Sequence, residues 1–370
     1  MPLGAIIMWC HASAMAAIDL FDAADGLLGV MILGVLRLKP VIRNTCAELG
    51  LPHEHAFERA LATSAVDLYI TLDGMGAISW ADFLLNPRRL RGSDFLMRWS
   101  QGVWSEQRLS DAVDATERYF AKAYGPSGTA PDNDVRAFEL YFERLEKAGL
   151  GNLKRPDLLV FRSRDLQPVN EIINSLNGQS ELPFTPEEDD RMRALLDLAV
   201  VAVECENSLW YARKMPDYNR ALTPQRRLGG QPGLKKSAVL PTIIIKEEDR
   251  QPLRAWQDSR GVPIHIWHAF YDEAFGISLG DAEALFSAGK IVATEQVFQA
   301  PGGATTRKAI YKIYHQYAYR LAETAEDPTL SAAHIIDKNG HILPYVRFLG
   351  GKAQLLAEAV KILDAIGAAQ

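Results

Sequence analysis

The run "AVVAVECENSLW", residues 199–210, constrains the fold of this chain more than any other stretch. Small and β-branched apolar residues fill positions 199–203 without a polar break, which reads as a strand buried on both faces. Its tip is anomalous, because Glu204 and Glu206 follow with one residue between them. Side chains alternate along a strand, so Ala202, Glu204 and Glu206 share one face, and Val201, Val203 and Cys205 share the other. Carboxylates at i and i+2 stand about 7 Å apart. Two like charges at the edge of a sheet require something positive between them.

The elements around this strand define a fold class. In "DNDVRAFELYFERLEKAGLG", Val135, Phe138, Phe142, Leu145 and Ala148 step by three or four. Asp132 or Asp134 can cap its start and Gly149 can close its end, so it reads as a helix. It leads into "RPDLLVF", a short buried strand after a proline. Residues 162–196 carry two helical stretches separated by "GQSELPFTPEEDD", an excursion between two strands in which Thr185 can cap a helix. After Glu206 a helix is expected from Asn207 or Ser208, then the basic loop "TPQRRLGGQPGLKK". The strand "AVLPTIIIK", the helix "EEDRQPLRAWQDSRG" and the strand "VPIHIWHAFYDEAFGISL" with its continuation come next. This order predicts an α/β fold with a central mixed β-sheet flanked by helices. Beyond it, "APGGATTRKAIYKIYHQYAY" and "HIIDKNGHILPYVRF" read as strand and hairpin material, with "DKNG" as a turn.

The N-terminal part reads as mainly helical. "SEQRLSDAVDATERYFAKAYG" is expected to be a helix closing at Gly125, and "NPRRLRGSDFLMRWSQGVW" before it is loop-like and basic, with Arg88, Arg89, Arg91 and Arg98. The Gly, Pro, Ser and Asp content of "GPSGTAPDND" sets a soft boundary between regions 1–125 and 126–370.

Composition excludes several classes. The 370 residues are 48% hydrophobic and 23% charged, an ordinary soluble balance, and the net charge of -6 leaves no global signal for nucleic acid. Cys10, Cys46 and Cys205 are odd in number and widely spaced, which suggests neither a disulfide framework nor a zinc motif and fits a cytoplasmic location. The first apolar run lacks the positive residues of a signal peptide. "GLLGVMILGVL" is about half the ~20 residues of a spanning helix, so no membrane association is expected.

Asp157 opens the "RPDLLVF" strand directly after Pro156. If that strand neighbours the one ending in Glu204 and Glu206, three carboxylates converge at one sheet edge. A hard divalent cation, Mg²⁺ or Mn²⁺ in its place, would satisfy them. It would polarise a phosphoryl oxygen and acidify a bound water. Glu139, on the preceding helix, is an accessory carboxylate that could reach the same edge, although Glu139, Glu143 and Glu146 also have the spacing of a solvated helix face. Residues 207–240 hold seven cations, Arg213, Lys214, Arg220, Arg226, Arg227, Lys235 and Lys236, against one acid, Asp217, which is a local charge of +6. Cations that hold phosphates beside carboxylates that hold a metal are what a polyanionic substrate requires. Arg307 and Lys308 are further base-reading candidates. His265 and His268 fall on opposite faces of a strand and make a poor metal pair. "APGGATT" lacks the Lys-Ser/Thr of a P-loop.

These residues carry a family resemblance. "RPDLLVF" followed by "VAVECENSLW" resembles the PD-(D/E)xK nuclease motif in a variant ending in Glu. The blocks "FLMRWSQGVWSE", "YGPSGTAPDNDVRAFELYFERLEKAGLGNLKRPDLL", "VECENSLWYARKMPDYN", "LKKSAVLPTIIIKEED" and "TEQVFQAPGGATT" resemble the AccI-type type II restriction endonucleases over most of the chain. The resemblance implies a restriction-endonuclease-like core. It also implies Mg²⁺-dependent cleavage of both strands of double-stranded DNA at a short near-palindromic site by a homodimer, with a cognate DNA methyltransferase as genetic partner. Asp157 and Glu204 would be metal ligands, and Glu206 would replace the usual lysine, either accepting a proton or binding metal. Lys214 or Lys236 could alternatively supply the missing positive charge. The alternatives are a repair or structure-selective nuclease on the same core, or a DNA-binding protein without activity.

Overall fold

The computed structural model describes residues 90–131, 135–151, 153–299, 305–336 and 342–369. The expected helices of residues 1–89, the Arg88–Arg89 pair and the "DKNG" turn lie outside the described residues. In chain order the elements are α1 (Leu90–Asp114), β1 (Tyr119–Ala123), α2 (Pro126–Thr129), α3 (Val135–Lys147), β2 (Leu158–Arg162), α4 (Leu166–Ser175), α5 (Asp190–Asp197) and β3 (Ala199–Asn207). Then come β4 (Thr223–Pro224), β5 (Pro232–Gly233), β6 (Thr242–Lys246), α6 (Glu247–Arg260), β7 (Ile264–Ala269), β8 (Glu273–Ser278) and α7 (Leu279–Ser287). The chain closes with β9 (Thr294–Gln299), β10 (Thr305–Tyr314), β11 (Tyr319–Glu326), β12 (Thr329–Ile336), β13 (Ile342–Leu349), β14 (Lys352–Leu355) and α8 (Ala357–Ala369).

Strand β3 is the third of seven in a sheet of order β1-β2-β3-β7-β8-β11-β14. Neighbours run antiparallel except β3 and β7, which are parallel and pair Glu204 with Ile266 and Glu206 with His268. Helices cover both faces. Ala202 packs into one core with Val169 and Ile173 of α4, Met192 and Leu195 of α5, and Leu253 and Trp256 of α6. Val201 and Val203 pack into the other with Leu109 and Val113 of α1 and Leu363 of α8. The unbroken apolar run of β3 follows from this double coverage. The molecule is therefore a mixed α/β protein built on a large mixed sheet flanked by helices.

A smaller sheet of order β6-β10-β9 adds Ile243, Ile245 and Ile313 to the first core. Residues 162–196 leave the sheet as α4, a 3-10 segment (Gln179–Phe184) and α5, and return, so β2 and β3 are direct neighbours with Leu158 opposite Val203. Two compact units divide the chain: Trp99–Thr329 with Phe348–Gln370, which contains both of these sheets, and Met1–Arg98 with Leu330–Arg347, whose described part includes most of the β12–β13 pair. No helix among the described residues is long and apolar enough to cross a membrane.

Three local expectations are corrected. The helix expected to run to Gly125 ends at Asp114, and β1 follows, so the large sheet begins ahead of the 125/126 boundary. Asp114 Oδ1 accepts the Ala121 N–H at 2.9 Å, and Glu117 takes a positive φ of 57° in the turn between them. The stretch read as loop before it is helical from Leu90. No helix follows β3. A 3-10 turn, Ala212–Lys214, stands there, because the Asp272 carboxylate takes the Ala212 N–H at 2.6 Å and the Arg213 N–H at 3.1 Å, and Pro216 closes the turn.

Candidate active site

The register of β2 against β3 puts Asp157, the residue before β2, level with Glu204. Asp157 is held from three sides. Its Oδ2 accepts the Cys205 N–H at 2.7 Å. Its main-chain oxygen accepts the N–H groups of Tyr124 at 2.8 Å and Gly125 at 3.3 Å. A Cβ on residue 125 would fall 2.7 Å from the Pro156 oxygen, so this close approach of the segment after β1 favours glycine. Just upstream, buried Arg155 donates to the main-chain oxygens of Leu182 and Thr185 at 2.8 Å each, and its Nε lies 2.9 Å from Glu187 Oε1. Glu187 also accepts from Tyr124, from Trp256 Nε1 at 2.6 Å and from Arg260 Nε at 2.8 Å.

The carboxylates meet two ammonium groups. Lys154 pairs with Glu204 Oε1 and lies 3.6 Å from Asp249 Oδ1. Lys246, the last residue of β6, lies 3.0 Å from Glu206 Oε1 and 3.7 Å from Asp249 Oδ2. Asp249 stands in the first turn of α6, where the helix amides favour negative charge. Glu106 comes from α1, which packs on the opposite core. The site thus lies at the sheet edge where both helical layers contribute.

Negative charge is in excess. Burial, then the Glu204 and Glu206 charges, push the Glu106 carboxyl up to about 8. Burial, then Glu106, push Asp157 up to about 7 against the opposing pull of Lys154 and the Cys205 amide. Burial and Asp157 hold Glu204 well above the usual carboxylate range. Burial acts to lower Lys154, yet Glu204, Asp157 and Asp249 outweigh it and hold the ammonium above its ordinary value. Glu204 is 7% exposed, and its Oε2 is buried with no hydrogen-bond partner.

Of the residues singled out in the sequence, Asp157, Glu204 and Glu206 come together. Lys214 and Lys236 are not the ammonium groups that meet them. Lys214 lies over the Tyr211 ring, 3.9 Å from its centroid, because the 3-10 turn carries it there. Lys236 is exposed, with no ion pair among the described residues. Glu139 lies on α3, and its side chain is outside the described residues. Arg213 is drawn 2.9 Å from buried Glu273, and Arg220 pairs with Asp217 at 2.6 Å. Arg227 Nη2 donates to Leu234 O at 2.6 Å and to the Tyr314 hydroxyl at 2.8 Å, closing the β4–β5 hairpin. Arg226 and Lys235 are exposed, like Lys236, and carry no ion pair among the described residues. Arg307 and Lys308 face Glu295 and Glu248.

Glu106, Lys154, Lys246 and Asp249 were missed. Lys154 and Lys246 had a signal: one stands three residues before Asp157, and the other ends an apolar strand as Glu204 does. Glu106 had none, since a single acid in a helix of mixed pattern does not say which layer it will approach. Compared with protein-family models, curated proteins and solved structures, the chain gives no match.

Proposed function

We propose that this chain is a divalent-metal-dependent nuclease that hydrolyses phosphodiester bonds in both strands of duplex DNA at a short near-palindromic site, as type II restriction endonucleases do. The observation that carries the reading is Glu204. It is a buried carboxylate with one oxygen unpartnered, level with Asp157, in a pocket whose carboxyls are pushed upward by burial and then by one another. Two lysines against five carboxylates leave a charge deficit that a small dication would fill.

Mg²⁺, or Mn²⁺ in its place, fits this donor set of hard oxygens; Asp157 and Glu204 would hold it, with Glu206 beside them. Among the described residues no group of three or more His, Cys, Asp or Glu side chains is arranged to hold a metal ion as the side chains stand, and an ammonium sits on Glu204 instead. When bound, such an ion polarises a phosphoryl oxygen and lowers the pKa of water. The protein's own groups do the rest. Lys246 keeps the Glu206 carboxylate oriented at 3.0 Å, so that Glu206 is placed to accept a proton from water. Arg226, Lys235 and Lys236, exposed and without ion pairs among the described residues, would offer cations to the phosphate backbone. The reading carries with it a PD-(D/E)xK core, a homodimer matching the symmetry of its site, a protecting DNA methyltransferase and a cytoplasmic location.

The test is digestion of a sequenced genome with the full chain and Mg²⁺, followed by sequencing of the ends. Discrete ends sharing one short sequence, lost in Glu204→Ala, support the proposal. A smear or branch-selective cutting points to a repair or structure-selective nuclease. Binding without cutting in Mg²⁺ and Mn²⁺ points to a DNA-binding protein without activity.

A further inference from the structure

We propose that Lys154 is a resident counter-ion that a divalent cation must displace from Glu204, and that Asp249 receives its ammonium as it leaves; this rests on the reading of the site as a metal centre. Five charged groups alternate in sign across the pocket: Glu204, Lys154, Asp249, Lys246 and Glu206. Lys154 occupies Oε1 of Glu204, while Oε2 is buried and unpartnered. One oxygen is therefore unpartnered, and engagement of the whole carboxylate by a dication requires the ammonium to go.

The two partners differ in their freedom. The Lys154 side chain is 25% exposed and that of Glu204 9%, so the lysine is the less enclosed of the two. An ammonium on a flexible four-carbon stem needs only rotamer changes to move. Asp249 Oδ1 already lies 3.6 Å from Nζ, so the shift shortens an existing contact and needs no chain rearrangement. Asp249 is suited to receive it, since the first turn of α6 stabilises its negative charge. The displaced ammonium stays inside the pocket, beside the space a substrate phosphate would enter.

A two-residue cycle tests this by Mn²⁺ binding to the full chain at pH 8.5 without DNA, read from the electron paramagnetic resonance of free Mn²⁺. Lys154→Met removes the competitor and is expected to bind about ten-fold tighter than the parent. Asp249→Asn removes the acceptor and is expected to bind several-fold more weakly. In the double variant the Asp249→Asn loss disappears, because no ammonium remains to be received. Thermal melting in EDTA verifies folding, and Lys154→Gln replaces Lys154→Met if the latter does not fold. Unchanged or weaker binding by the Lys154 variant, or an Asp249→Asn loss that persists in the double variant, overturns the proposal while the metal centre stands. Absence of Mn²⁺ binding in the parent and in every variant overturns both.

Discussion

The Cys205 N–H donates to Oδ2 of Asp157 at 2.7 Å, so a main-chain amide of β3 holds the carboxyl that precedes β2. That bond favours the charged form, but burial and the charge of Glu106 work against it and prevail.

A pH dependence follows. Asp157 rises from an ordinary 3.8 to about 7, and Glu106 from 4.5 to about 8. In the fold both keep protons that the unfolded chain releases at lower pH. Their contribution to stability is therefore full below the unfolded values and is lost as pH rises through the folded ones. In EDTA, Tm is expected to fall between pH 5 and 9. Mg²⁺ should flatten the decline, and Glu106→Gln should remove its upper part. A Tm that rises across this window contradicts the assignment.

Glu187 gathers Arg155, Arg260, Trp256 and Tyr124 in a buried cluster. Removing one member of such a cluster leaves an uncompensated charge. Glu187→Ala is expected to cost about 3–5 kcal/mol in urea denaturation. DNA cleavage should fall as well, because Arg155 anchors the segment that carries Lys154 and Asp157. A variant as stable as the parent shows that the cluster is not what fixes this segment.

Gly125 faces the Pro156 and Arg155 oxygens at 2.7 and 2.9 Å from the position a Cβ would take. Gly125→Ala should destabilise by about 1–3 kcal/mol, the usual cost of forced overpacking. The strain falls on the two residues before Asp157, so cleavage should slow even under conditions where the variant is fully folded.

The basic segment separates two kinds of cationic residue. Arg226, Lys235 and Lys236 are exposed without ion pairs among the described residues, whereas Arg227 closes the hairpin itself. Alanine at each of the first three should reduce the salt dependence of DNA binding by about one unit of slope. Arg227→Ala should instead speed amide exchange around Leu228 and Leu234. Equal salt slopes in all four variants would remove the hairpin from the DNA-contact surface.

Much of this was legible in the chain. The alternation from Val201 to Glu206 assigned each side chain to the face it occupies, because a strand buried on both sides has no other way to arrange them. The adjacency of β2 and β3 was a condition of the three-carboxylate reading and not legible in the chain, because the insertion between them hides it; the register of the sheet supplies it. The segment after Glu206 was not legible either. Its helix is forestalled by Asp272, sixty residues away in sequence, whose carboxylate binds the amides a helix would use. The lysines were misassigned for a related reason. Local charge density pointed to Lys214 and Lys236, whereas proximity to the carboxylates is decided by where β6 ends and by the turn before Asp157. Those are facts of tertiary packing.

One pairing in the large sheet runs parallel, that of β3 with β7. Antiparallel neighbours can be joined by a tight turn, but a parallel neighbour obliges the chain to travel back to the starting end before it can re-enter. Residues 208–263 make that journey. They include the basic hairpin, Lys246 and Asp249, so the cations offered to a substrate and the groups that tune the carboxylates are by-products of a return path. The sheet fixes where this path begins and ends but not its length or contents. On the proposed reading, it is the stretch through which a lineage could exchange one target for another while leaving the carboxylate centre untouched.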